Sequence, residues 1–535
     1  MFISQKGVLS MGQFVNPGNE SFVRVVKADI YVDKTGLIKE LNRVLATEQC
    51  FICVSRARRF GKSVTAGMIK AYYSKGCNSK ALFAGLEIEN ADDYYEHLNK
   101  YDLIHIDMSS IWTDVNGNST KLMEHLKTIL INELKNEYNC VDISDCISLK
   151  SALAKINYEL GIKFVFIIDE WDTVFRECKE DEAVQIEYIT MLRGLFKSEE
   201  AKQYTALAYI TGILPIKKYG IESALNNFTE YTMVSPKNLA KYYGFTDGEV
   251  KELCKQYNMD YEIMKQWYDG YSFKKEAHIY NPNSVVKAIL LDSYESYWSN
   301  TETFNSLQGY ISLNFEGLRD DIIRMFSGER CRVMPGSFAN DFVSYKSKDD
   351  VLTALIHLGY LAYDFDMKEA YIPNAEVQEA FEYAIKGTDW KELVQSINYS
   401  EQLMKMTWKG NTEAVAEALG KIHGETTSIL QYNDENSLSC AVNMAYYNAR
   451  IYYTVVREMP TGKGFADFVF IPKSNIDKPA MIIELKYNKS AQTAITQIKE
   501  KQYIEGLKAY ENNLLLVGIN YDKETKKHSC IIERY

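Results

Sequence analysis

No uncharged apolar run in this 535-residue chain approaches the roughly 20 residues needed to span a bilayer, so no membrane partner is expected. Positive charge is also short: 61 Lys and Arg stand against 72 Asp and Glu, a formal net charge of −11, which excludes a polycation that coats nucleic acid over its whole surface. The ten cysteines are scattered, and the one close pair, Cys50-x-x-Cys53, has no second pair at metal spacing, so a structural zinc is not expected. That pair lies in an apolar run, where thiols are ordinarily buried small hydrophobes. With no positively charged leader ahead of an apolar segment, free thiols of this kind predict a reducing, cytoplasmic setting. Low-complexity linkers and repeats of solenoid period are missing too. What remains is an ordinary globular composition, 46% hydrophobic and 25% charged, in a chain too long for one core, for which three or four domains are expected.

Against these absences stands Gln49-Cys-Phe-Ile-Cys-Val-Ser-Arg-Ala-Arg-Arg-Phe-Gly-Lys-Ser-Val64. An apolar run ends in Gly61-Lys62-Ser63, and Met68, Ile69 and Tyr72 recur behind it at helical spacing. This reads as strand, phosphate loop, helix: backbone N–H groups and a helix N-terminus meet phosphate, Lys62 supplies a point charge, and the Ser63 hydroxyl is a ligand for Mg²⁺. The pattern G-x-x-x-x-G-K-[ST] asks for glycine at position 56, where this chain has Arg56. Lys163-Phe-Val-Phe-Ile-Ile-Asp-Glu-Trp-Asp172 supports the reading. Its apolar run is a strand buried on both faces with Asp169-Glu170 at the carboxyl end, where open α/β sheets bind ligands. There Asp169 can hold Mg²⁺ and Glu170 can polarise the attacking water; an acid that merely caps the next helix is the alternative. Thr211, ending the strand predicted over Thr205–Ile210, is a candidate sensor of the γ-phosphate, or simply part of a Thr-Gly turn. Tyr101–Met108 is predicted as a further strand, Leu37–Leu45 and Leu122–Tyr138 as helices, Phe22–Val26 as a short strand, and Thr35 as a helix cap. Strand alternates with helix, so the sheet is expected to be parallel.

Four stretches together carry a resemblance: Tyr31-Val-Asp-Lys-Thr35, Ser55-Arg-Ala-Arg-Arg-Phe-Gly-Lys-Ser63, Ile168-Asp-Glu-Trp-Asp172 and Ile213-Leu-Pro-Ile-Lys-Lys-Tyr-Gly220. The chain resembles the bacterial AAA-ATPase-like family whose members carry a C-terminal PD-(D/E)XK nuclease-like domain. Members show Ser-Arg-Pro-Arg-Arg-Phe-Gly-Lys-Ser at the loop, from which this chain departs only at Ala57. The resemblance implies that Arg56 belongs to the loop, and that Arg56 and Arg59 join Gly61, Lys62, Ser63, Asp169 and Thr211 around ATP. From the residues alone, Arg58 and Arg59 could bind phosphate, pair with Asp172 or face water. Asp349–Tyr363 reads as an apolar helix, Gly359 and a strand, as in a winged helix; by analogy with ATPases of this type it belongs to a lid. Trp267-Tyr-Asp-Gly-Tyr271, Tyr280-Asn-Pro-Asn-Ser284 and Tyr297-Trp298 read as domain packing, and His357 as a packed helix histidine.

The end of the chain carries a second set. Between residues 462 and 535, twelve Lys and Arg face nine Asp and Glu, a local excess of +3 against −14 over the remainder, so a DNA-facing surface is placed there. Asp467 is expected at the start of one strand, and Glu484 and Lys486 lie two apart in another, Ala480–Tyr487, so both point to one face. Two carboxylates on adjacent strands beside a lysine suit a Mg²⁺-dependent phosphodiesterase: Asp467 and Glu484 hold metal, and Lys486 orients or helps deprotonate water. A surface ion pair is the alternative, but the uniformly apolar Ala480–Ile483 argues for charges emerging from a buried strand. Asp-x16-Glu-x-Lys resembles the PD-(D/E)XK signature, and Gln497 with Tyr503 the Gln-x5-Tyr element of related nucleases, which implies that Gln497 contacts phosphate or metal-bound water. Glu435, on a helix expected over Ser437–Tyr453, is a weaker acidic candidate. Leu514–Asn520 is expected to be the final strand.

The expected architecture is α/β: a P-loop NTPase (AAA-like) parallel sheet at 1–235, a helical or winged-helix lid at 236–375, a helical spacer at 376–430 and a restriction-endonuclease-like α/β domain at 431–535. The expected function is slow, ATP-dependent gating of nucleic-acid cleavage, with ATP and Mg²⁺ as cofactors, DNA as the first partner and a homo-oligomer left open. A signalling ATPase switch whose C-terminal domain only binds nucleic acid or protein is the alternative.

Overall fold

The computed structural model describes residues 12–219, 222–273, 276–298, 301–388, 390–426, 435–461, 463–473 and 476–535. The chain divides into two compact units, Met1–Ser299 with Arg332–Gln378 and Asn300–Cys331 with Glu379–Tyr535.

In the first unit the short apolar runs become strands. These are β1 (Phe51–Ser55), β2 (Asp102–Asp107), β3 (Phe164–Asp169), β4 (Thr205–Gly212) and β5 (Thr229–Tyr231). They lie in the order β2-β3-β4-β1-β5, every pair parallel. Parallel neighbours require crossovers, and a sheet covered on both faces is what the near-continuous apolar runs of β1, β3 and β4 require. Because β4 lies between β1 and β3, the loop after β1 and the acids ending β3 flank the end of β4. Val54 pairs with Thr211, Ser55 with Gly212 and Asp107 with Asp169, which gathers the polar strand ends at the carboxyl edge, where such sheets bind ligands.

Phe22–Val26 is not a strand. It belongs to α1 (Glu20–Val26), whose buried residue is Phe22. The outer edge of β2 is already taken: Asn16 N–H donates to Leu103 O and His105 N–H to Phe14 O, both at 2.8 Å. A further strand finds no partner there, and Glu20 in the first turn with Arg24 in the last suits a helix dipole. Thr35 precedes α2 (Gly36–Asn42) without a side-chain cap; its hydroxyl instead accepts from Ile88 N–H at 3.1 Å. Behind the phosphate loop runs α3 (Lys62–Tyr73), and Ser119–Glu137 is the predicted long helix, α4.

Later in the same unit, α5 (Lys348–Leu358) ends at Gly359 and is followed by β6 (Ala362–Asp364), the helix, glycine and strand expected there, and β7 (Glu369–Tyr371) pairs with β6 as a hairpin. Gly359 has φ +87°, and a Cβ on it would lie 2.6 Å from the Ala57 Cβ. Only glycine lets this turn close on the phosphate loop. His357 is buried and stacked on Phe338, a packing role.

The second unit carries a mixed sheet of β8 (Tyr453–Thr461), β9 (Gly464–Pro472), β10 (Ala480–Tyr487), β11 (Leu514–Asp522) and β12 (Lys527–Arg534), adjacent in chain order. Only β10 and β11 are parallel, and the crossover they require contains α6 (Ala491–Glu500). One face packs Phe468, Phe470, Met481 and Ile483 against helices that contribute Leu403, Leu419 and Val442. The other packs Val469, Ala480 and Ile482 against Ile495 and Ile498 of α6. The helix expected over 437–453 is broken after Ala445 and resumes over Ala449–Tyr452, and Tyr453 opens β8. Asp467 lies inside β9 instead of at its start, and β12 extends the sheet beyond the expected final strand.

Candidate nucleotide and nuclease sites

At the carboxyl edge of the parallel sheet, Gly61 is the N-cap of α3 at φ +86°, and the space where a Cβ would stand holds nothing within 4 Å. A left-handed glycine before a helix leaves backbone N–H groups open to an anion. Lys62 is buried, and its Nζ donates to Ala57 O at 3.1 Å. Burial lowers its pKa, opposed chiefly by Glu170 and then Asp169. Ser63, exposed on the next position, lies close enough to the Asp169 carboxylate for its hydroxyl to favour the charged form. Burial raises Asp169 to about 6, the Ser63 hydroxyl working against it and Glu170 with it. Thr211 is completely buried within β4, not in a turn, and its hydroxyl has no hydrogen-bond partner. Lys62, Ser63, Asp169 and Glu170 are thus brought together, with Thr211 on the strand between them.

Arg56 lies elsewhere. Its guanidinium is fully buried, donates from Nη1 to Ser55 O and Tyr231 O at 2.9 and 3.0 Å, and sits 5.1 Å over the Tyr243 ring. It ties β1 to β5 where a glycine would leave a gap, and burial lowers its pKa to about 10. Arg59, at φ +69°, donates to Tyr297 O at 2.6 Å, and Arg58 is exposed. Asp172 pairs with neither. It is fully buried, accepts from Ile213 and Leu214 N–H at 3.1 and 2.9 Å, and its partner in charge is Arg176. Arg176 was not singled out from the sequence, although its spacing of four from Asp172 on one helical turn is the signal that finds it. The sequence also gave no hint of an apolar cavity of about 160 Å³ beside the loop, lined by Tyr31, Val32, Phe60, Gly61, Val64 and Phe245 among others.

In the second unit, alternation along β10 places Glu484 and Lys486 on the face of Ala480 and Ile482, toward α6. The antiparallel register of Phe468 with Ile483 sets Asp467 beside Glu484, and Asp467 Oδ2 accepts from Leu485 N–H at 2.7 Å. Lys486 Nζ donates to Glu484 Oε1 at 2.8 Å, and the Gln497 amide donates to the same oxygen and to the Tyr503 hydroxyl. Glu484 Oε2 is buried without a hydrogen-bond partner. Burial, then the Asp467 charge, raises Glu484 to about 7, with Lys486 opposing. The set Asp467, Glu484, Lys486 and Gln497 is one cluster; the Glu435 side chain lies outside the described residues.

Among the described residues, no group of three or more His, Cys, Asp or Glu gathers at metal-binding distance. Each place nevertheless offers two oxygen donors, Ser63 with Asp169 and Asp467 with Glu484, and at Glu484 one carboxylate oxygen is unused. Mg²⁺ takes oxygen ligands and keeps several waters, so these residues fit it. No helix among the described residues is long and apolar enough to cross a membrane.

A curated protein of Azotobacter chroococcum mcd 1, described as an uncharacterized protein in the vnfD 5′ region, is 23% identical over 290 residues, covering 54% of each chain. The chain therefore spans about half the length of that relative. Similar solved structures include a DNA replication initiation factor (13% identity, 76% of this chain and 98% of that one, TM-score 0.25). The ORC2 protein of Aeropyrum pernix in ADPNP–ADP complexes (10%, 68% and 97%, TM-score 0.30) is another. So is the replication initiator DnaA bound to AMPPCP and single-stranded DNA (12%, 72% and 92%, TM-score 0.27). Residues 17–222 match the family model described as Predicted AAA-ATPase, and residues 433–530 that of the PD-(D/E)XK nuclease superfamily. The chain joins an AAA-ATPase-like domain to a PD-(D/E)XK nuclease-superfamily domain.

Proposed function

We propose that the first domain binds ATP with Mg²⁺ and hydrolyses it slowly, and that its nucleotide state gates phosphodiester cleavage of nucleic acid, DNA in the first instance, by the C-terminal domain. The observation that carries this is the buried Lys62 facing the charges of Glu170 and Asp169, with the Ser63 hydroxyl beside Asp169 and the unpartnered Thr211 on the neighbouring strand. Gly61 N–H and Lys62 take the phosphates, Ser63 and Asp169 hold the cation, Glu170 draws on the attacking water and Thr211 contacts the γ-phosphate. The apolar cavity beside Gly61 takes the base. Position 56 lacks the backbone freedom of a glycine, which supports slow turnover.

In the second domain a cation held by Asp467 and Glu484 would polarise the phosphodiester and acidify a water. Lys486, its ammonium paired with Glu484, orients that water and stabilises the hydroxide left when its proton passes to solvent, and Gln497, braced by Tyr503, fixes the Glu484 carboxylate. The proposed borders are 1–235, 236–375, 376–430 and 431–535. The test uses the full chain with Mg²⁺ or Mn²⁺: Lys62→Ala is expected to abolish ATP binding and Asp467→Ala to abolish cleavage of DNA or RNA. Folded wild-type protein that neither binds ATP nor cuts either nucleic acid overturns the proposal.

A further inference from the structure

We propose that Arg176 is a positioning residue that latches the Glu170 carboxylate and so restrains ATP hydrolysis, an inference that rests on the nucleotide-site reading above. Arg176 lies in the short helix Thr173–Glu177 that follows the acids of β3, and its side chain is 13% exposed. Its Nη2 hydrogen-bonds the Glu170 carboxylate and lies 3.2 Å from Thr173 Oγ1, while Nε is 3.2 Å from Asp172 Oδ2. Asp172 is itself fixed to the end of β4 by the Ile213 and Leu214 N–H groups, so the guanidinium is anchored on the side away from Glu170.

Glu170 has equally little freedom. Its backbone is left-handed, at φ +50°, and its carbonyl accepts from Thr173 N–H at 2.9 Å and Thr173 Oγ1 at 2.7 Å. With the backbone pinned, the guanidinium decides where the carboxylate points. A carboxylate bound by a guanidinium is charge-compensated and has one oxygen engaged, so it is a poorer acceptor for the proton of an attacking water. Glu170 and Arg176 both act electrostatically on Lys62, which places the pair at the phosphate site and not on a remote surface.

The test measures steady-state ATP turnover of the full chain with Mg²⁺, alongside binding of a fluorescent ATP analogue. Arg176→Gln is expected to raise kcat about five- to tenfold with KM unchanged within about twofold, and adding Glu170→Gln is expected to remove the gain. Arg176→Lys, which keeps the charge but not the fork, is expected to fall between wild type and Arg176→Gln. An unchanged or lowered kcat in Arg176→Gln, or a gain that survives Glu170→Gln, overturns the latch. If Arg176→Gln does not fold, judged by its melting curve, Arg176→Lys decides: a raised kcat supports the latch and an unchanged or lowered one overturns it. Failure of the analogue to bind wild type overturns the site reading and the latch with it, whereas binding without the expected gain overturns the latch alone.

Discussion

Glu484 shows how a neighbour and an apolar wall set the chemistry of one carboxyl group. Burial and the Asp467 charge raise it to about 7, so between its ordinary value and that one the folded, metal-free protein binds a proton that the unfolded chain does not. Metal-free stability therefore falls as pH rises through that window. A divalent cation needs the ionised form, so the apparent Mn²⁺ or Mg²⁺ affinity of this site is expected to rise about tenfold from pH 6 to pH 8, with proton release on binding. Titration calorimetry at the two pH values checks this, and Glu484→Gln should lose both the affinity and the proton release. Arg56 is the opposite case, a cation whose buried partners are carbonyls and aromatic rings. Arg56→Ala would leave a cavity and two carbonyls short of a donor, at an expected cost of about 2–4 kcal/mol. Denaturant unfolding measures that cost, and the affinity for ATP of the protein that remains folded is expected to stay within about threefold of wild type because the side chain faces away from the loop.

At the scale of elements, the position of α6 decides whether Gln497 reaches Glu484. Gly518 on β11 pairs in register with Glu484, and a Cβ there would lie 2.4 Å from the Ala491 carbonyl oxygen. The obstacle is backbone, so the helix must shift as a body. Gly518→Ala is expected to cost about 1–3 kcal/mol and to lower cleavage more than melting temperature alone accounts for; parallel melting and nuclease assays separate the two. Helices with strong periodicity, α3 and α4, and strands with a continuous apolar run, β3 and β10, were legible from their residues. Phe22–Val26 was not, because its apolar spacing fits either state and the choice fell to the occupied edge of β2. Nor was β12, a half-exposed edge strand with few apolar residues, whose conformation is imposed by pairing with β11.

For the whole molecule, the two proposed phosphate chemistries in one chain make the proposed gating measurable. Cleavage by the full chain in the presence of ATP, ADP or a non-hydrolysable analogue is expected to differ by about fivefold or more in wild type and to become insensitive to nucleotide in Lys62→Ala. Equal cleavage under all conditions would leave two independent activities. Of the candidate site residues, Gly61-Lys62-Ser63, Asp169-Glu170 and Asp467, Glu484, Lys486 were legible in the sequence because each is tied to a strand end or a strand face, which local spacing specifies. The inward turn of Arg56 was not, since it depends on β5 lying next to β1, and the Arg176 pairing with Glu170 depends on the left-handed turn at Glu170 into the next helix.

The sequence by itself determined the local pieces: a glycine before a helix, acids at the end of a buried strand, and two charges of period two on one face. These follow from backbone geometry over a few residues. Only the tertiary structure decided that β4 separates β1 from β3, that Arg56 fills the gap between β1 and β5, and that Glu484 titrates near neutrality. The physical reason is range: strand order, burial and electrostatic pairing join segments up to about 180 residues apart, and no local pattern of residues carries that information.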